Sequence, residues 1–185
     1  MLRDFALQSM LGGAWLVLAV SGVRHMYDRE ALADDLRRHG LIRGRSRDAI
    51  KHLLPPAELL LGAVGAAGAL SGAQSRGQAM VAIHLAGCAV FMSFAGYLAL
   101  LRSLDPTAAC GCTSYSPTPV NALQIARPLL LALALVLGVL LDGTGGAAGT
   151  AAHGLLVSSA AVAVGALMWV APELSIQQQA RGAWK

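Results

Sequence analysis

"FALQSMLGGAWLVLAVSGV", residues 5–23, runs for nineteen positions without a charged side chain. As a helix rising 1.5 Å per residue it reaches about 28 Å, close to the roughly 30 Å hydrocarbon core of a bilayer. A cleaved signal peptide competes with this reading, because Arg3 precedes the run and small residues follow it. The run is long for a signal core, so a retained membrane span is expected.

The rest of the chain agrees. Of 185 residues, 56% are hydrophobic and only 13% charged, against about 25% charged in soluble domains. The 21 glycines fit membrane helices, where Gly is commoner than in soluble ones. Charges concentrate in residues 24–52 and are not spread as a soluble surface requires. The net charge of +4 does not indicate nucleic acid, since no interleaving of aromatic and basic residues accompanies it and basic loops flank membrane spans anyway. Three cysteines are too few for a disulfide scaffold and lack the spacing of a structural zinc site.

Beyond the first span, residues 24–52 are far too charged to cross a bilayer. Leu32 and Leu36 stand four apart, opposite Asp34, Asp35 and Arg37, which suits a short helix lying along the membrane interface; a solvated loop is the alternative. A second span is expected at 53–70, with Pro55 and Pro56 near its start, where missing backbone donors cost least. A third is expected at 79–101, a fourth from about Ala122, and a fifth at 151–171. The predicted architecture is an all-α polytopic membrane helix bundle of four core transmembrane helices plus a fifth. Residues 1–145 would form the core domain, and 146–185 the fifth helix with a polar tail.

The connection "TAACGCTSYSPTP", residues 107–119, holds Cys110 and Cys112 with Gly111 between them. A disulfide favours Cα atoms about 4.4–6.8 Å apart and a side-chain torsion near 90°, so cysteines this close in sequence close a ring only with local strain. Gly111 eases it by accepting backbone angles that other residues avoid. Strained, accessible disulfides exchange readily, which points to a redox-active dithiol; two ordinary loop residues, or partial metal ligands, are the bland readings. Glu58 and Arg127 are ionisable residues expected inside the second and fourth spans. Buried ionisable groups in membranes face the bundle interior and find partners, so these two are predicted to pair, as part of a polar pocket or as a helix-locking ion pair. Met80, His84, Cys88 and Met92 recur every four residues along the third span. All four side chains bind soft metals, but the favoured reading is packing, with a metal or haem site as the weaker alternative.

In order and spacing, "SGVRHMYDREALADDLRRHGLI", "LLPPAELLLG", "CGC" and "IARPLLLALAL" resemble the methylamine utilisation MauE family of DoxX-like small membrane proteins, over about residues 5–141. Glu58, Cys110, Gly111, Cys112 and Arg127 match its pattern. Thr113 and Ser114 depart from it where an aromatic and a glycine are usual, and so does Pro128 after the arginine. The resemblance implies a factor for processing, export or disulfide maturation of the methylamine dehydrogenase light subunit. Cys110 and Cys112 would exchange with a disulfide-containing client or a thioredoxin-like protein, Glu58 and Arg127 would tune the thiols, and electrons would leave to a quinone or a thioredoxin-like partner. A non-catalytic assembly factor, a small transporter and a metal or haem protein are the rivals. Membrane lipid is an expected partner and nucleic acid is not.

The side of the membrane divides the signals. With five spans in a cell membrane, and Arg127 counted with its neighbouring loop, 12 of the 14 Lys and Arg residues fall on the side of the Cys-Gly-Cys loop, which the positive-inside rule makes cytoplasmic. Maturation of a secreted client instead asks for the outer side, where disulfides persist, and the resemblance favours that side.

Overall fold

The computed structural model describes residues 2–70, 78–110, 118–141 and 156–167. Its helices are α1 (Leu2–Tyr27), α2 (Arg29–His39), α3 (Arg45–Leu70), α4 (Gln78–Leu104), α5 (Ala122–Leu141) and α6 (Leu156–Leu167), with a two-residue ladder of β1 (Ala109–Cys110) and β2 (Thr118–Pro119) between α4 and α5. The protein is an all-α membrane helix bundle. Among the described residues three helices are long and apolar enough to cross a membrane: Phe5–Tyr27, Gln78–Leu104 and Ala122–Leu140. The described part of the expected fifth span is α6, and the rest of 151–171 lies outside the described residues.

Between the first two expected spans the chain is more ordered than its charge implies. Asp28 caps α2 by accepting from the Ala31 amide at 3.0 Å, and Gly40 ends it in the left-handed conformation, φ 67°. Both choices follow the usual preferences for helix ends. The interface-helix expectation needs correcting in one respect. Leu32 and Leu36 are buried within the protein, and so is Asp35, at 8% exposure, although the sequence reading set Asp35 on the polar face. Asp35 bonds Arg38 one turn on, and Lys51 of α3 bonds Glu30 of α2. The Lys51 ammonium holds the Glu30 carboxyl below its usual range.

α3 begins at Arg45, eight residues before the expected span, because "RSRDAIKH" contains nothing that breaks a helix. Pro55 and Pro56 therefore sit in the helix interior, a correction to the expectation that they open it. Lacking N–H groups, they leave the carbonyls of Lys51 and His52 without the usual intrahelical partner.

α1 packs most extensively on α3, and α4 on α5. The first contact is backbone to backbone. A Cβ at Gly22 would overlap the Leu59 backbone and lie 2.9 Å from the Pro55 carbonyl oxygen, and one at Gly62 would overlap the backbone of Ala19. Such small-residue seams replace the hydrophobic drive that lipid removes between membrane helices. Trp15, fully buried, fills the centre between Gly65 of α3 and Gly87 of α4. α6 lies against the other side of α1, where a Cβ on Gly12 would stand 2.7 Å from Cβ of Ala161.

At one end of the bundle a second apolar cluster gathers Leu98, Leu101 and Val120, with Leu41, Tyr97 and Ala108 against it. It ties the segment after α2, the end of α4 and the β ladder together, so the ladder and α2 share one end of the molecule.

Candidate functional site

Glu58 is the sequence-predicted residue whose surroundings are best defined. It is 5% exposed, and its Oε2 lies 2.7 Å from Nδ1 of His25. This partner, 33 residues earlier in the chain, is one the sequence reading did not name. The seam explains the meeting: Gly22 and Leu59 are in backbone contact, and His25, three residues past Gly22, lies on the same face of α1. Burial of both side chains, 11% and 7% exposed, makes the bond costly to break.

The His25–Glu58 pair lines two chambers. The smaller, of 60 Å³, is also lined by Gln124, Arg127 and Pro128 at the start of α5. Glu58 and Arg127, predicted to pair, thus share this chamber, and the hydrogen bond to Glu58 comes from His25. Gln124 is fixed by a reciprocal cap: its amide donates to Asn121 Oδ1 at 2.9 Å, and its Oε1 accepts from the Asn121 amide at 3.0 Å. This is a capping box in which Asn replaces the usual Ser or Thr. The box consumes the side-chain oxygen and leaves the Gln124 Nε2 buried without a hydrogen-bond partner. "NALQ" before an apolar run is the sequence signal that would have found it.

The larger chamber, 380 Å³, lies under α2, between α3 and α4. Its walls are mostly aliphatic, and a second imidazole enters it: His39 Nδ1 lies 2.6 Å from the Tyr97 hydroxyl. Asp35 is on the same wall.

The ladder sets the position of the Cys-Gly-Cys segment. Cys110 pairs with Thr118 and Ala109 with Pro119, antiparallel. An Asp105 turn leads into it. The Thr107 amide and hydroxyl donate to Asp105 Oδ1 at 2.9 and 2.6 Å, and these bonds hold the Asp105 carboxyl below its ordinary range. Only the backbone of Cys110 is described; Gly111 and Cys112 lie outside the described residues.

The stripe on α4 does not converge. His84 is 2% exposed, with its ring 5.4 Å from that of Trp15, edge-on, and Nδ1 2.8 Å from the Met80 carbonyl oxygen. Cys88 packs against the core cluster, while Met92 is 50% exposed. Among the described residues no three of His, Cys, Asp and Glu gather closely enough to hold a metal ion.

Residues 3–141 match the family described as methylamine utilisation protein MauE. No curated protein and no solved structure matches the chain.

Proposed function

The chain belongs to the MauE family, and from that premise we propose that it is a multi-pass cell-membrane accessory factor of methylamine utilisation that oxidises or matures a client protein through Cys110 and Cys112. Family membership itself suggests the accessory role in methylamine utilisation. In the proposed step a thiolate of one cysteine attacks the disulfide of a client or thioredoxin-like partner. A mixed disulfide forms, and the second cysteine then resolves it. Run in reverse, the Cys110–Cys112 disulfide passes to a client dithiol and leaves both cysteines reduced.

The observation that carries the reading is the ladder that pairs Cys110 with Thr118. Beside it, Val120 and Ala108 pack with Leu98, a residue that also lines the chamber of His25, Glu58, Gln124 and Arg127, and this supports the reading. Gly111, Glu58 and Arg127 are the supporting residues of this proposal. The reading also assigns residues 1–145 to the core and 146–185 to an appended helix and tail.

Thiol-labelling mass spectrometry across a range of redox potentials tests it. Cys110 and Cys112 are expected to titrate together as a two-electron couple. Cys88 is expected to stay reduced throughout, because it lies mid-helix against the core. Labelling of Cys110 and Cys112 that never changes with potential would reject the exchange and leave the assembly-factor reading in its place.

A further inference from the structure

The larger chamber has a composition that narrows its occupant. Leu32, Leu36, Ile50, Leu54 and Phe94 make it apolar, and it lies beside helices suited to a bilayer. At 380 Å³ it falls within the range of small-molecule sites, about 300–1,000 Å³. Into these walls the fold brings two imidazoles from different helices, His25 bonded to Glu58 and His39 bonded to Tyr97. Placing two such pairs in an aliphatic wall costs free energy that a lipid tail would not repay.

We infer that this chamber binds the head group of a membrane quinone. A quinone ring is flat and apolar and partitions into the bilayer. It carries two carbonyl oxygens on opposite edges, each an acceptor that becomes a hydroxyl on reduction. An imidazole held by a carboxylate or a phenol is suited to donate a hydrogen bond to such an oxygen and then a proton. His25 bonds Glu58 through Nδ1, so it offers Nε2–H as a donor when both ring nitrogens carry a proton.

Binding rests on the chamber alone; use of the quinone as electron acceptor rests on the dithiol reading above. In that step two S–H bonds of Cys110 and Cys112 break and one S–S bond forms. Two electrons pass to the ring, and two protons reach its oxygens, giving a quinol. The imidazoles relay those protons and are reprotonated in turn.

The test uses full-length protein in nanodiscs and decylubiquinone as probe, with affinity measured by equilibrium binding. Saturable binding is expected for the parent protein and equally for the Cys110→Ser/Cys112→Ser variant. Tyr97→Phe removes the hydroxyl that holds His39 and should weaken binding roughly tenfold, as for one misplaced hydrogen bond to a polar ligand. Leu36→Trp, which fills the chamber, should abolish it. Absence of saturable binding, or binding unchanged in both Tyr97→Phe and Leu36→Trp, would overturn the site. So would displacement of the probe by excess oleate, which would mark the chamber as a lipid pocket. Binding without quinol formation from the reduced parent protein would keep the site and reject the dithiol reading instead.

Discussion

Truncation of His25 to Ala is expected to destabilise the protein by about 3–5 kcal/mol, because it strands the Glu58 carboxyl in the bundle. Both side chains are nearly closed to solvent, so water cannot replace the lost partner in full. Removing Glu58 as Glu58→Leu leaves an imidazole, which is less costly to bury than a carboxylate and should lose less. Glu58→Gln keeps an oxygen for the imidazole N–H and should cost about 1 kcal/mol. In the double variant His25→Leu/Glu58→Leu neither member of the pair is left without the other, and most of the loss should return. Unfolding of purified protein in mixed micelles, arranged as a double-mutant cycle, reads these terms directly. Losses that simply add would show that the two side chains do not act as a pair.

The largest functional effect is expected from Cys110→Ser/Cys112→Ser. The variant should accumulate to parental levels, because the ladder that holds Cys110 is made of backbone pairing and a hydroxyl replaces a thiol of similar size. On the proposed function, with the methylamine dehydrogenase light subunit as client, disulfide formation in that subunit should nevertheless fall to the level of a deletion strain, and growth on methylamine should fall with it. A client that still acquires its disulfides would reduce the cysteines to loop-shaping residues. In the parent, a membrane-impermeant thiol reagent applied to whole cells after mild reduction should reach Cys112. Labelling seen only after lysis would place the pair on the side that the positive charges favour, and would exclude direct oxidation of an exported client.

Much of the helical frame could be read from the chain because lipid imposes a coarse rule: a run near twenty apolar residues must be helical and must span. That rule located α1, α4 and α5. It failed at Arg45–His52, where charge signals a loop by hydropathy but says nothing against a helix. The misplaced start then misassigned Pro55 and Pro56. The pattern of α2 was legible, but which surface its leucines meet was not, since lipid and protein interior look alike to a period of 3.6. Asp35 was misjudged for the same reason. At the site, Glu58 stood out as a carboxylate in an apolar run. His25 did not, because the contact depends on how Gly22 lets α1 meet α3, and no local pattern encodes a partner 33 residues away. Gln124 was readable in principle from its capping box, but its orphaned amide shows only when the chamber beside it is seen.

The seam between α1 and α3 has a further meaning for biosynthesis. α3 leaves the ribosome after α1, bringing Glu58 and two interior prolines, and it is not among the three helices apolar enough to span unaided. An acidic residue near mid-helix raises the cost of entry through the translocon by roughly 2.5–3.5 kcal/mol. By then α1 is already in place, with Gly22 and His25 on the face that α3 will occupy. α3 is therefore expected to move sideways into a protein groove that supplies a polar partner, without having to dissolve in lipid alone. In a glycosylation-reporter assay, residues 45–70 fused by themselves should insert poorly, and residues 1–70 should restore insertion of the same segment. Equal insertion with and without the first helix would show that α3 needs no escort.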